Sequence, residues 1–190
     1  MKRIAYIVPG FSESTDSESY RKIANFFRTK EIEPIPIKIS WRHKVMSDYV
    51  EQFKSQAKIK NPDYILGFSF GAMIAFISAD EIKPKTLILC SLSPYFKEDL
   101  SKIRDGWIKV VGKKRIADLE KYSFDELSKN LDSKIILIYG EKEGTELKIR
   151  IEKAHKKLKD SKIVSIPNTI HKISDEKYLN KLKDVISKLK

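Results

Sequence analysis

The chain has 190 residues, of which 41% are hydrophobic and 34% charged, a balance typical of a soluble globular protein. The one cysteine, Cys90, excludes an internal disulfide, and no apolar run has the length of a signal peptide or a membrane span. We therefore expect residues 1–190 to form one cytoplasmic domain that crosses no membrane.

The net charge of +12 comes from 38 lysines and arginines against 26 aspartates and glutamates. A charge of this size is compatible with nucleic acid or an acidic membrane as a partner. The lysines, however, are spread along amphipathic segments, and no arginine cluster is interleaved with aromatic residues. This distribution favours a solvated cationic surface. We expect no nucleic-acid or membrane partner. We expect the protein to be a monomer or a small homo-oligomer.

Apolar runs alternate with amphipathic segments along the whole chain. Continuous apolar runs are typical of buried parallel strands, and apolar residues spaced three and four apart predict helices. The predicted strands are 4–8, 33–39, 64–68, 86–90, 134–139 and 161–166. The predicted helices are 16–30, 45–58, 70–82, 145–159 and 175–189. This alternation predicts an α/β protein whose parallel, doubly wound sheet carries helices on both faces.

Two segments depart from the regular alternation. The second predicted strand contains Pro34 and Pro36, and a proline has no amide hydrogen to donate, so this strand is expected at a sheet edge. Residues 91–133 have no strand-like run, and their apolar residues predict two or three short helices inserted between two strands. The aromatic residues of this insertion are Tyr95, Phe96, Trp107, Tyr122 and Phe124.

The third strand leads into Gly67-Phe68-Ser69-Phe70-Gly71, a Gly-x-Ser-x-Gly sequence between a predicted strand and a predicted helix. A serine on such a sharp turn has strained backbone angles, and side chains two positions to either side would collide with neighbouring elements. The turn exposes the hydroxyl at a helix N-terminus, whose partial positive charge stabilises developing negative charge. Ser69 is therefore a candidate nucleophile.

Two other strand ends carry groups that can activate a serine. A base must take the hydroxyl proton, and a carboxylate must orient the base. Gly140-Glu141-Lys142-Glu143 follows the fifth strand and His171 follows the sixth, so the chain order is serine, acid, histidine. His155, on a lysine-rich helix, and His43, in a loop after the edge strand, are expected to be surface residues.

With these motifs in this order, the chain resembles a small α/β-hydrolase over essentially its whole length. In that family the acid lies in a turn that commonly reads Gly-x-x-Asp, after the strand that follows a cap region, and the histidine follows the last strand. The resemblance implies a triad of Ser69, His171 and Glu143, with Glu141 as the alternative acid. It also implies an approximately six-stranded sheet that lacks the family's first two strands, which leaves the proline-bearing strand at an edge.

The resemblance further implies an oxyanion hole made by the amides of Phe70 and Phe11. The loop that carries Phe11 reads Pro9-Gly10-Phe11, where the family frequently has His-Gly. Residues 91–133 occupy the position of a helical cap. The predicted substrate-pocket residues are therefore Gly10, Tyr95 and Phe96.

The resulting functional prediction is hydrolysis of a small carboxylic ester or thioester through an acyl-enzyme intermediate. The alternative is a protein of the same fold that binds a small ligand without turnover. No cysteine–histidine pair, carboxylate cluster or glycine-rich phosphate loop has the spacing of a metal or cofactor site. We therefore expect neither a metal nor a cofactor.

Overall fold

The structure is a computed structural model that describes residues 2–102, 109 and 111–189. Its sheet contains strands β1 (Arg3–Val8), β2 (Ile32–Pro36), β3 (Tyr64–Phe68), β4 (Thr86–Cys90), β5 (Lys134–Gly140) and β6 (Ser161–Ile166). All neighbouring strands are parallel, and their order across the sheet is β2-β1-β3-β4-β5-β6. The predicted six-stranded parallel sheet is confirmed, with β2 at one edge as its prolines require.

Helices cover both faces of this sheet. They are α1 (Glu18–Arg28), α2 (Met46–Gln56), α3 (Phe70–Ile82), α4 (Lys113–Leu119), α5 (Phe124–Leu127), α6 (Thr145–Lys157) and α7 (Glu176–Ser187). Apolar residues of α1 and α7 form the core on one face, and those of α2, α3 and α6 form the core on the other. Within the described part of the chain, no helix combines the length and apolarity needed to cross a bilayer.

The predicted end of β2 is wrong by three residues, because the strand ends at Pro36 and not at residue 39. Ile37 still donates its N–H to Ile7 O at 2.9 Å. Beyond it the backbone leaves the sheet and binds side chains of α2 instead: Gln56 Oε1 accepts from Lys38 N–H at 3.0 Å. An alternating sequence predicts a strand, but it does not show where a neighbouring helix replaces the strand as hydrogen-bond partner.

The insertion at 91–133 contributes short helices, as predicted. Its described part contains α4, α5 and 3₁₀ turns at Lys97–Lys102 and Ser128–Asn130, whereas Trp107 lies outside the described residues. That the whole chain forms a single domain stays a prediction.

Buried polar contacts at Asp99 and Asp118 help to attach this insertion to the rest of the fold. The buried Arg150 of α6 donates from Nε to Asp99 Oδ2 at 2.8 Å, and its guanidinium lies 4.7 Å from the centre of the Phe124 ring. Asp118 of α4 accepts hydrogen bonds from the N–H and the hydroxyl of Ser47, both at 2.8 Å, in the first turn of α2. The insertion is thereby joined to both α2 and α6.

Candidate active site

Ser69 lies between β3 and α3 with backbone angles of φ 56° and ψ −118°, which few residues other than glycine adopt. The flanking glycines explain how the turn reaches this conformation. A Cβ atom on Gly67 would lie 2.3 Å from Gly71 O, and one on Gly71 would lie 2.4 Å from Val8 O. Both positions exclude a side chain, as the crowding argument predicts.

A continuous hydrogen-bonded chain runs from Ser69 through His171 to Glu143. Ser69 Oγ is 2.9 Å from His171 Nε2, and His171 Nδ1 is 2.7 Å from Glu143 Oε2. A carboxylate only accepts, so the imidazole proton lies on Nδ1 and leaves Nε2 free to accept the serine proton. The Glu143 side chain is 0% exposed and that of His171 is 40% exposed. Glu141, the alternative acid, is exposed on the surface and lies outside this chain.

The turn that holds Glu143 is packed directly against the loop that holds His171. The N–H of Gly140 donates to Glu143 Oε1 at 2.5 Å, and Lys142 N–H donates to Thr169 O at 2.9 Å. A Cβ atom on Gly140 would lie 2.4 Å from Thr169 O, so only glycine permits this approach. The acid and the base are therefore fixed relative to each other by backbone contacts as well as by their own hydrogen bond.

Two serines just after β4 complete the polar surroundings and were missed in the sequence. Ser91 Oγ donates to Glu143 Oε1 at 2.8 Å and lies 2.6 Å from the hydroxyl of Tyr178. Ser93 Oγ lies 3.1 Å from Ser69 Oγ. Because Cys90 ends β4 opposite Phe68 at the end of β3, the serines that follow it were identifiable candidates. Tyr178 reaches the site from α7, and no sequence pattern indicated it.

The environment of Tyr178 keeps its hydroxyl neutral. Burial is the main reason that the pKa of Tyr178 is raised well above its ordinary value, and the negative charge of Glu143 adds to it. Ser91 has a single hydrogen, which it donates to Glu143, so the hydroxyl of Tyr178 donates to Ser91. Glu143 Oε1 thus accepts from Ser91 and from the Gly140 N–H, which leaves Oε2 as the oxygen that binds His171.

A cavity of about 540 Å³ opens beside Ser69 and His171. Gly10 and Tyr95 line it, and so do Phe11, Val111 and Leu147. Burial, with a further contribution from the charge of Glu146, raises the pKa of Tyr95 to about 12. The Tyr95 hydroxyl therefore stays protonated at neutral pH.

Phe96, the third predicted pocket residue, does not line this cavity. Its side chain is fully buried, and its ring packs edge-on against Phe76 of α3 at 5.6 Å and Phe124 of α5 at 5.3 Å. Tyr95 and Phe96 are adjacent in the chain but face opposite sides of it, the first toward the cavity and the second toward the core. The assignment of Phe96 to the pocket is corrected accordingly.

The cavity contrasts in charge with the strongly cationic protein around it. Its lining includes the carboxylates of Glu13, Asp99, Glu143 and Glu146, and no lysine or arginine among the residues that the structure describes. Asp99 is paired with Arg150, and Glu143 with His171. Glu13 accepts from uncharged donors, the Gly10 N–H and the Tyr20 hydroxyl, so its carboxylate contributes negative charge to the described part of the cavity wall.

The predicted oxyanion donors lie on neighbouring elements. Phe70 is the first residue of α3, so its N–H has no acceptor within the helix. Phe11 lies in the loop after β1, and its ring contacts the ring of Phe70 at a centroid distance of 5.3 Å. The loop and the helix N-terminus thus meet at the edge of the cavity.

The remaining titratable candidates lie elsewhere. His43 and His155 are both exposed, and His155 Nδ1 is 2.9 Å from Ser161 Oγ at the start of β6. Cys90 is completely buried, and this burial raises the pKa of its thiol. A buried neutral thiol is a core residue rather than a nucleophile.

Several solved structures share this architecture. Alpha/beta hydrolase domain-containing protein 10 from mouse superposes with a TM-score of 0.83, covering 100% of this chain and 90% of its own, at 12% sequence identity. Est1E from Butyrivibrio proteoclasticus, with ferulic acid bound, superposes with a TM-score of 0.77 at 12% identity, covering 97% and 86%. The esterase domain from a Rhodothermus marinus protein gives a TM-score of 0.72 at 16% identity, covering 97% and 84%.

Neither a protein-family model nor a curated protein sequence matches the chain. The structural similarity nevertheless extends over nearly all of it, and the predicted fold is confirmed. The chain has the α/β-hydrolase fold.

Proposed function

We propose that the protein is a serine hydrolase that cleaves a small carboxylic ester or thioester through an acyl-enzyme intermediate. The observation that carries this proposal is the hydrogen-bonded chain from Ser69 through His171 to Glu143 at the wall of an open cavity. A serine hydroxyl is a weak nucleophile at neutral pH, and a histidine oriented by a carboxylate is the arrangement that activates it. Esterases are also among the solved structures that share the fold.

The first half of the proposed reaction transfers the acyl group to Ser69. His171 Nε2 takes the hydroxyl proton while Ser69 Oγ forms a bond to the carbonyl carbon, whose oxygen becomes negatively charged. Glu143 stabilises the resulting imidazolium through Nδ1. The tetrahedral intermediate then collapses: the bond to the alcohol or thiol breaks, and the leaving group receives the proton from His171.

The second half returns the serine to its free state. His171 removes a proton from a water molecule, whose oxygen attacks the acyl carbon, and the released Ser69 oxygen regains a proton from the imidazolium. In both halves the N–H groups of Phe70 and Phe11 stabilise the oxyanion. Preorganised donors of this kind stabilise the charge that develops in the transition state at no cost of reorganisation.

The cavity favours a small substrate. Its volume of about 540 Å³ lies within the range of about 300–1,000 Å³ found for small-molecule sites. The rings of Phe11, Phe70 and Tyr95 provide an apolar surface beside the nucleophile. We therefore place a short acyl or alcohol group in this cavity.

A fluorophosphonate probe tests the proposal directly, because Ser69 Oγ replaces fluoride at phosphorus only when His171 accepts the proton. Labelling is expected for the wild type and for His155→Ala, a matched control at an exposed histidine, and not for Ser69→Ala or His171→Ala. A series of p-nitrophenyl esters of increasing acyl length then gives the substrate range. The absence of both labelling and hydrolysis in the wild type would overturn the hydrolase proposal and leave the alternative of a ligand-binding protein.

A further inference from the structure

The loop after β1 is held in place by Glu13, which takes no part in the reaction proposed above. The backbone N–H of Glu13 donates to Gly10 O at 3.0 Å and closes a turn over residues 10–13. Its carboxylate Oε2 accepts from Gly10 N–H at 3.1 Å. Glu13 therefore binds the peptide groups on both sides of the Gly10 α-carbon.

Tyr20 of α1 stabilises this arrangement through two hydrogen bonds. Its hydroxyl accepts from Gly10 N–H at 2.9 Å and donates to Glu13 Oε2 at 2.5 Å. The side chain is 1% exposed, and burial, together with the charge of Glu13, raises the pKa of Tyr20 well above its ordinary value. The hydroxyl consequently keeps its proton and remains a donor to the carboxylate.

Further contacts limit the freedom of this network. The indole N–H of Trp41 donates to Glu13 O at 2.9 Å, and the Phe11 ring packs against Trp41 at a centroid distance of 5.5 Å. A Cβ atom on Gly10 would lie 2.6 Å from Glu13 Oε2. Only glycine at position 10 therefore allows the carboxylate to approach the loop so closely.

The network determines where the N–H of Phe11 points. The peptide bond between Gly10 and Phe11 is planar and trans, so this N–H is directed opposite to Gly10 O, which Glu13 N–H holds. The N–H of Gly10 itself is occupied by two acceptors. Of these two amides in the loop, the Phe11 N–H is the one that remains available to an oxyanion.

We propose that Glu13, held by Tyr20, is a positioning residue that fixes the Phe11 N–H in the oxyanion hole. This inference rests on the proposed hydrolase function. A fixed donor lowers the energy of the transition state more than that of the bound ester, because the negative charge develops only during the reaction. Loss of the network should therefore reduce kcat and leave KM nearly unchanged.

The test compares Glu13→Ala, Glu13→Gln and Tyr20→Phe with the wild type. Tyr6→Phe is the matched control: Tyr6 is equally buried, and its hydroxyl bonds the backbone of Ile59 away from the site. Each variant is assayed for kcat and KM with the best p-nitrophenyl ester. Each is also assayed for inhibition by a trifluoromethyl ketone, which forms an oxyanion on Ser69, and by the matching methyl ketone as a ground-state ligand.

Removing one oxyanion donor costs about 100- to 1,000-fold in kcat, so displacing one without removing it should cost about 10- to 100-fold in Glu13→Ala. Tyr20→Phe should lose about 10-fold, since the Glu13 carboxylate keeps its own hydrogen bond to the Gly10 N–H. Glu13→Gln should stay within about threefold of the wild type, because its amide oxygen can accept both hydrogen bonds. Binding of the trifluoromethyl ketone should weaken in parallel with kcat, and binding of the methyl ketone should not.

If kcat in Glu13→Ala and Tyr20→Phe equals that of the Tyr6→Phe control, this inference is overturned. The proposed hydrolase function would stand, since the wild type would still hydrolyse esters. A parallel loss of methyl-ketone binding would also overturn it, because that outcome indicates a deformed cavity rather than a displaced donor. An inactive wild type would overturn the hydrolase function and this inference together. If Glu13→Ala fails to fold, the comparison of Tyr20→Phe with Glu13→Gln carries the same test.

Discussion

Ser91 donates a hydrogen bond of 2.8 Å to Glu143 on the carboxylate oxygen that does not face His171. The two carboxylate oxygens of Glu143, the proposed acid, therefore have different hydrogen-bond partners. One binds the histidine, and the other is held by Ser91 and by the N–H of Gly140. A carboxylate with both oxygens bonded cannot rotate without breaking hydrogen bonds, so the orientation of His171 depends on residues that never meet the substrate.

Ser91→Ala tests this dependence. Loss of one hydrogen bond to a charged group costs about 1.5–3 kcal/mol at most, and Gly140 N–H still holds the same oxygen, so we expect kcat/KM to fall about 10-fold. The measurement is the hydrolysis rate of the best ester, with exposed Ser187→Ala as control, since the Ser187 hydroxyl bonds Asp184 O away from the site. Unchanged kcat/KM in Ser91→Ala would show that the Gly140 N–H alone suffices to orient Glu143.

Glu143→Gln and Glu141→Gln distinguish the two acids that the sequence left open. A glutamine amide can present an N–H to His171 Nδ1, which would favour the tautomer that cannot accept the serine proton. We expect Glu143→Gln to lower kcat by about 10⁴-fold, the size of effect seen when a triad carboxylate becomes an amide. Glu141→Gln should retain wild-type activity, since Glu141 is exposed. The rate of fluorophosphonate labelling is measured for both variants. Slower labelling of Glu141→Gln than of Glu143→Gln would reassign the acid to Glu141.

The carboxylates that line the cavity, Glu13 among them, predict that negatively charged esters are poorer substrates than neutral ones. Two unit charges about 5 Å apart interact by about 3 kcal/mol at an effective dielectric constant of about 20, so an ester with a carboxylate in its acyl chain should be disfavoured. We expect its kcat/KM to be at least about 10-fold below that of a neutral ester of equal length. Glu13→Gln, which keeps the hydrogen bonds, should narrow the difference, whereas exposed Glu152→Gln should not. Equal rates for the two esters in the wild type would contradict the prediction.

The contact of Asp118 with α2 predicts a dependence of stability on pH. Burial opposes ionisation of this carboxyl, but hydrogen bonds from Lys121 and Ser47 outweigh it, so the pKa of Asp118 is lowered. A group with a lowered pKa in the folded state stabilises the protein above its unfolded pKa of about 3.9, and this contribution disappears as the pH falls through the folded pKa. Asp118→Asn should therefore lower the free energy of unfolding at pH 7 by about 1–2 kcal/mol.

Urea denaturation at pH 7 and near pH 3 measures this effect. The difference between the wild type and Asp118→Asn should shrink at the lower pH, where the wild-type carboxyl begins to protonate. Asp132→Asn, at an exposed aspartate in the same insertion, should match the wild type at both values. A difference that is independent of pH would show that the variant acts through packing and not through the charge.

Features of the fold that depend on neighbouring residues could be predicted from the sequence. The sharp turn that carries Ser69 is defined by the five consecutive residues 67–71, and the clash distances at Gly67 and Gly71 show why the glycines are needed there. The ends of the other strands could be placed because their continuous apolar runs stop where the chain leaves the sheet, whereas the alternating sequence of β2 predicted an end three residues too late. The edge position of β2 could be predicted because its two prolines have no amide hydrogen to donate to a second neighbouring strand.

What sequence reasoning missed depends on contacts between distant segments. Tyr178 reaches Ser91 across 87 positions of the chain, and its own segment reads simply as an amphipathic helix. Phe96 was placed in the pocket because it follows a strand end, but neighbouring residues on an extended segment face opposite sides. Which of the two faces the cavity is decided by the packing of Phe76 and Phe124, which is not encoded at position 96.

The backbone of Ser69 has a consequence for evolution in the laboratory. A residue with φ 56° and ψ −118° lies in a region that costs about 1–3 kcal/mol for any side chain and little for glycine. Ser69→Gly should therefore be inactive yet unfold at a higher temperature than the wild type. Selection for heat resistance alone would favour loss of the nucleophile, so any search for more robust variants of this protein has to demand turnover at the same time.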